Sequence, residues 1–368
     1  MWSIDSDALE RLAIGAGILG TGGGGNPYLG KVHAREHVRR GARIVVIGLA
    51  AVPDDARVIS VGGMGSPTVG IERLPQGDEC LRAVRALERH LGESFTHLIP
   101  GEIGGANAME PLIVAAQTGL PVIDADGMGR AFPELQMDTF VIYGARPTPA
   151  AFADPFGQTM VLDGIADART LERYARAATI QMGGAAGGAF PPLTGTEVKH
   201  TAVPGTISLA AAIGAAVLDA RSSLADPIAA VLQVSGGVRL FTGKVVDVVR
   251  RMEGGFARGV VTMVGTGDDA SIELRLDVQN ENLIARTGDG RVLAVVPDLI
   301  CVVDAETAEP ITTEVLRYGL RVAVLGIPAP ALLKTPRALA VVGPAAFGYG
   351  DVPYVPLSGA YGVGGGPA

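Results

Sequence analysis

Short apolar runs and helix-spaced apolar stripes alternate along the first part of the chain. Ser6 or Asp7 caps a helix predicted over 7–19, and "GKVHAREHVRRG" continues with helical composition. "ARIVVIGL" and "ARVISVGGMGS" are continuous apolar runs closed by turn residues, which predicts buried strands. "GDECLRAVRALERHLG" sets Cys80, Val84, Leu87 and Leu91 on one helical face. "THLIPGEIGG" and "LPVIDADGMG" each read as a buried strand running into a loop, with a short helix in "NAMEPLIVAAQTG" between them. Strands alternating with helices predict an α/β fold: a mostly parallel sheet covered on both faces in a three-layer α/β/α arrangement.

After about residue 165 the rhythm changes. "ADARTLERYARAATIQMGG" and "GTISLAAAIGAAVLDARSS" read as helices on either side of a glycine-rich turn, "GGAAGGAFPPLTG". From about 235 short apolar runs alternate around turns such as "GTGDDAS" and "TGDGR", the pattern of a β-barrel-like domain. Two domains are therefore expected, an α/β ligand-binding or catalytic domain over 1–234 and a β-rich domain over 235–368. "GAYGVGGGPA" reads as a flexible tail.

Composition narrows the class. The chain has 368 residues, 48 % hydrophobic and 18 % charged, which supplies a large core. A net charge of −8 disfavours nucleic-acid binding, which needs a basic surface. Cys80 and Cys301 are the only cysteines, so neither a disulfide framework nor a cysteine-rich zinc site is expected. No apolar run approaches the roughly 20 residues of a membrane helix, and the start lacks a basic leader, so a cytoplasmic protein without membrane attachment is expected.

The chemistry concentrates in glycine-rich loops. "GTGGGGNPYLG" has no side chains for a core, so Gly22, Gly23, Gly24 and Gly25 answer a need for positive φ, a close approach of backbone to a ligand, or simple flexibility. No Gly-Lys-Ser/Thr follows, and a helix precedes the run where a dinucleotide fingerprint requires a strand. The loops after the predicted strands carry Glu102 and Asn107, and then Asp124, Asp126, Arg130 and Glu134. Such loops are where open α/β sheets bind ligands. Asp124 and Asp126 are candidates for a divalent cation, against a reading in which one caps a turn and the other pairs with Arg130. Glu102 either caps the helix over 107–117 or faces a ligand. Lys199 and His200 are either a surface pair or, through Lys199, an anion-stabilising group. In "DVQNENLIA", Asn280 and Asn282 share one face of a predicted strand and Glu281 takes the other. If the β region closes over the glycine loop, Asn282 becomes a candidate for reading a ring with both C=O and N–H groups, against a reading in which this is an exposed strand end where Asn satisfies the turn.

Taken together, "GTGGGGNPYLG", "PGEIGGANAMEPLIVAAQTGLPVIDADGMGRAFPELQM", "VKHTAVPGTIS", "VPDLICVVD" and "GPAAFGYGDVPYVP" resemble the S-methyl thiohydantoin desulfurase family over nearly the whole chain. The resemblance implies a hydrolase acting on a small five-membered cyclic amide or thioimidate, with water replacing a methylthio group to leave a hydantoin. It places functional residues at Gly22 to Asn26, Glu102, Asn107, Asp124, Asp126, Arg130, Glu134 and Lys199, and leads to an expectation of arginine where His200 stands. The expected catalytic set is Glu102, Asp124, Asp126, Arg130 and Lys199. The expected substrate-binding set is Gly22 to Gly25, Asn26, Asn107, Glu134, His200 and Asn282. A divalent metal, a homo-oligomer and a hydantoinase-type partner complete the expectations. The alternative is a non-catalytic ligand-binding or accessory subunit.

Overall fold

A computed structural model describes residues 1–362 except 67, 68, 70 and 71. The first sheet contains β1 (Trp2–Ile4), β2 (Ile44–Gly48), β3 (Arg57–Gly65), β4 (His97–Pro100), β5 (Val122–Asp126), β6 (Ala150–Ala153), β7 (Thr159–Leu162), β8 (Ala185–Thr194) and the short β9 (Val203–Pro204). Its order is β1-β2-β5-β4-β3-β8-β6-β7, with β9 on β5. The centre, β2-β5-β4-β3, is parallel and antiparallel strands extend it on both sides, so the sheet is mixed.

Period-two alternation explains the layering. Val46, Ile59, Leu98 and Val122 point into one core with α1 (Ser6–Leu19), α3 (Glu79–Leu91) and α4 (Glu110–Thr118); α2 (Pro27–Arg39) packs on α1 and α4. Their neighbours Ile47, Val58, Ile99 and Ile123 point the other way. There they meet α5 (Thr139–Ile142) through Phe140 and α7 (Gly195–Thr201) through Val198; α6 (Ala168–Gln181) covers the β6 and β8 end. The expected three layers are present. The cap of α1 is Asp5, one residue ahead of the expected Ser6 or Asp7, through an Ala8 N–H donated to its carboxylate.

The segment "GGAAGGAFPPLTG", expected to be a turn, is mostly the ten-residue strand β8. Its Gly187 and Gly188 pair with Gly63 and Gly62 of β3, so two glycine-rich strands lie side by side. A Cβ on Gly187 would come within 2.5 Å of the Cys80 nitrogen, which is why α3 can start directly on this strand.

The second sheet is antiparallel and curled, with β10 (Val238–Glu253), β11 (Phe256–Gly265), β12 (Glu273–Gln279), β13 (Glu281–Thr287), β14 (Val292–Val295), β15 (Leu299–Asp304) and β16 (Arg321–Ile327) in the order β14-β13-β12-β11-β10-β16-β15. Phe241, Met263, Leu276 and Val324 fill its concave core. On the opposite side, Cys301, Val303, Ala323 and Leu325 share a core with Leu12, Ala16 and Leu19 of α1. Helix α1 is therefore buried between the two sheets and joins them. Among the described residues no helix is long and apolar enough to cross a membrane. The segment expected to be a flexible tail begins with residues that pack: the Tyr361 hydroxyl donates to the Gly129 carbonyl at 2.7 Å. Residues 363–368 lie outside the described residues.

Helix α1 crosses α8 (Thr206–Ser222) almost backbone to backbone. A Cβ on Gly15 would lie 1.9 Å from the Ala210 carbonyl oxygen, and one on Gly214 would lie 1.9 Å from that of Arg11. In an open helix, Gly→Ala stabilises by about 1 kcal/mol. At this crossing the sign reverses. Gly15→Ala is expected to lower stability by about 1–3 kcal/mol in chemical denaturation, and an unchanged or raised midpoint would contradict the crossing.

Candidate functional site

The glycine run connects α1 to α2, whose cap is Asn26 through its Oδ1 and the Tyr28 N–H. Thr21, Gly22, Gly24 and Gly25 all have positive φ, a region in which only glycine is unstrained. The loop is wedged between the two halves of the molecule. The Gly22 carbonyl accepts from the Thr313 N–H at 2.8 Å, and Gly23 lies against the Glu281 side chain, where a Cβ would fall 2.1 Å from Oε1. On the other side, the Gly24 carbonyl accepts from the Ala106 N–H at 2.9 Å, and a Cβ on Gly24 would approach the Gly104 oxygen to 2.3 Å.

A cavity of about 540 Å³ opens at this junction, within the size range that holds small organic ligands. One wall is the paired glycine strands, with Gly62, Gly63, Gly187 and Gly188. Gly24, Gly25 and Asn26 form a rim, and Glu102, Asn107, Phe132, Asn280 and Glu281 face the same space. Asn107 is locked by Gly63, accepting its N–H at 2.7 Å and donating to its carbonyl at 3.3 Å. That pairing turns the remaining Asn107 N–H onto Glu102 Oε1, while Glu102 Oε2 accepts from the Phe132 N–H at 3.0 Å.

The carboxyls are the chemically distinctive groups. Burial pushes Glu102 up to about 8, reinforced by the charge of Asp126 and opposed by the Asn107 and Phe132 hydrogen bonds. Burial thus favours the protonated form of Glu102. Glu281 is 3 % exposed with its Oε2 unpartnered. Burial and then the neighbouring Glu102 charge raise it well above the usual carboxylate range, while Arg130 pulls it back. Two carboxyls raised by burial, one from each half of the chain, thus face one cavity.

Arg130 is fully buried, and all five of its N–H donors are engaged. Nε donates to Ala131 O, Nη1 to Pro297 O and Asp298 O, and Nη2 to Thr21 Oγ1 and Asn282 O, at 2.8–3.2 Å. The guanidinium stacks on the Phe132 ring at 4.7 Å. Burial lowers it to about 10, opposed by the charge of Glu281, so it stays cationic at neutral pH.

Several expected site residues lie elsewhere. Of the catalytic set, only Glu102 lines the cavity. Arg130, expected in the catalytic set, stands behind Phe132 and braces the loops. Asp126 is fully buried; its Oδ2 accepts from the N–H groups of Ile103, Met128 and Gly129, which shapes both strand-end loops. Asp124 accepts from the Ser208 N–H and hydroxyl at the start of α8. Asp124 thus holds the start of α8 and Asp126 holds backbone through Oδ2, while Asp126 Oδ1 is buried without a hydrogen-bond partner; among the described residues no cluster of three or more His, Cys, Asp or Glu is arranged to hold a metal ion. Lys199 pairs with Asp54 at 2.6 Å, and His200 Nδ1 meets the Thr196 carbonyl; both are on α7, outside the cavity lining.

Gly24, Gly25, Asn26, Asn107 and Glu134 do line the cavity, whereas Gly22 and Gly23 lie behind it. Asn282 is fully buried, donating to Ile300 O at 2.8 Å and bonding Thr21 O through its own N–H. The β region does close on the glycine loop, but Asn280 and Glu281, not Asn282, reach the cavity. The reason is Asn280, which has φ +57 and breaks the strand, so the expected two-residue alternation does not run through it. Asparagine tolerates that conformation, and "QNEN" carries the signal.

Comparisons agree with this architecture. No curated protein matches the chain. A crystal structure of a protein from Chromobacterium violaceum matches with a TM-score of 0.80 and 25% sequence identity, covering 97% of this chain and 100% of that chain. The S-Me-THD-like N-terminal domain matches residues 7–164 and the S-Me-THD-like C-terminal domain matches residues 166–357. With both domains present in order over nearly its full length, the chain belongs to the S-Me-THD-like family.

Proposed function

We propose that the protein is a hydrolase that removes the methylthio group from an S-methyl thiohydantoin, yielding a hydantoin and methanethiol. The observation that carries this reading is the buried Glu102, favoured in its protonated form, facing a glycine-walled cavity opposite a second raised carboxyl, Glu281. The family relationship supports the ring chemistry. The glycine strands leave room for a flat ring to lie against backbone.

The reaction needs a proton on a ring nitrogen, a water on the adjacent carbon and a proton on the departing sulfur. Glu102 gives its proton to the ring nitrogen, which makes the neighbouring carbon electrophilic. The carboxylate left behind is the base for the attacking water and recovers a proton from it. The tetrahedral carbon then bears hydroxyl and methylthio groups. Glu281 protonates the sulfur as the C–S bond breaks, and takes the hydroxyl proton as the C=O forms. One water is consumed, one methanethiol leaves, and both carboxyls end protonated. Arg130, stacked behind Phe132, offsets the transient negative charge without touching substrate. Asn107 fixes the Glu102 carboxyl, a positioning role set by its Gly63 pairing.

Purified protein is expected to release methanethiol from an S-methyl thiohydantoin, read with a thiol-reactive dye. Glu102→Gln and Glu281→Gln should each lower kcat by about 10²–10⁴-fold with unchanged melting behaviour. Full activity in either variant would remove that residue from the mechanism. Tight ring binding without turnover in the wild type would instead support the ligand-binding subunit reading.

The acid role also sets a pH dependence. Glu102 is protonated below its value of about 8, so kcat/KM is expected to fall as pH rises through about 8. The same limb should be missing from the residual activity of Glu102→Gln. A rate that rises through this range would contradict the assignment.

A further inference from the structure

The cavity is much larger than a bare five-membered ring needs, and its composition changes along its length. Two segments lead away from the carboxyl end. In β3, Gly63, which holds Asn107, is followed by Met64; in the other, Phe132 beside Glu102 leads through Glu134 to Leu135. Both segments arrive at one apolar wall formed by Met64, Leu135, Phe152, Ala186 and Phe190, which pack as a single cluster over Leu171 and Ala175 of α6 and also line the cavity. Met64 and Ala186 are register partners, so the wall continues the glycine floor by one residue pair.

The ionisable groups of the lining are mostly carboxyls, and burial raises Glu102, Glu110, Asp138, Glu281 and Glu314 above the usual carboxylate range. Seven carboxyl side chains face the cavity against two arginines, among the described residues. Both arginines are already engaged. Arg176 is paired with Glu172 and donates to Pro133 O at 2.8 Å, and Arg73 donates to Ala185 O at 3.2 Å. A charged group placed against this wall would lose its hydration among apolar side chains. An apolar group would gain the burial of the wall, worth roughly 25 cal/mol per Å2.

We infer that the cavity selects rings carrying an uncharged apolar substituent, up to aromatic size, which lies on the Met64–Phe190 wall while the ring sits at Glu102 and Glu281. This rests on the proposed ring hydrolysis and names the substrate class within it. The substituent is the group borne by the ring carbon remote from sulfur.

The test is calorimetric binding of four hydantoins to the full chain: unsubstituted, benzyl-, carboxyethyl- and aminobutyl-substituted. The benzyl compound is expected to bind about tenfold more tightly than the unsubstituted ring, with both charged compounds weaker than benzyl. Phe190→Ala and Leu135→Ala should each remove most of the benzyl advantage and leave the unsubstituted ring unaffected, so loss of fold is excluded by the ring itself. Equal affinities, or a preference for either charged substituent, would overturn the inference. Methanethiol release from unsubstituted and benzyl S-methyl thiohydantoins is measured alongside. Turnover without discrimination overturns the substituent selection alone; absence of both binding and turnover overturns it together with the hydrolase reading.

Discussion

A guanidinium with no solvent exposure is the constraint on which the rest of the junction depends. Removing such a charge from water costs several kcal/mol unless every donor is met. Arg130 meets the condition only because three separate segments supply oxygens: Thr21 in the glycine loop, Ala131 in its own loop, and Asn282, Pro297 and Asp298 in the β region. Moving any one of them away would leave a buried N–H unsatisfied. The two sheets are thus tied at this point by hydrogen-bond accounting as well as by the apolar packing of α1.

The site follows from that tie. With the Asn282 carbonyl held on Arg130, the preceding residue, Glu281, is delivered to the cavity over Gly23. Any side chain at Gly23 would occupy the space of the Glu281 carboxyl, and any at Gly24 would strike the loop that carries Glu102. The four glycines therefore serve the approach of two carboxyl-bearing loops to each other, with Gly24 and Gly25 left to border the ligand space. Asp126 completes the arrangement from below, fixing three N–H groups of the loops on which Glu102 and Arg130 stand. Its charge, itself reduced near neutral pH because burial pushes Asp126 up to about 7, also favours the protonated form of Glu102.

Much of this was legible in the chain. The continuous apolar runs revealed strands buried on both faces, and the loops at the ends of β4 and β5 do meet the glycine run. Glu102, Asn107, Glu134 and Asn26 were identifiable because polar residues among glycines at strand ends have few bland uses. The division of labour among the other polar residues was not legible. Asp124, Asp126 and Arg130 stand at the same kind of position as Glu102, and only the fold decides which carboxylate receives backbone N–H groups and which faces space. Lys199 and His200 are near a glycine turn in sequence, yet α7 packs on the sheet face opposite α3 and α4. β8 resembled a turn because its glycines satisfy glycines across the sheet, a pairing no local pattern contains. Glu281 was hidden by a single backbone conformation at Asn280.

The central claim is that this junction stores a proton on Glu102 at neutral pH. Infrared difference spectroscopy of the full chain, titrated from about pH 6 to about pH 10, reads it through the carbonyl stretch of a protonated carboxyl. The account predicts such a band at pH 7, titrating away near 8, that is missing from Glu102→Gln. If the Glu102-dependent signal is already that of a carboxylate at pH 7, with its transition in the ordinary glutamate range, the account is contradicted.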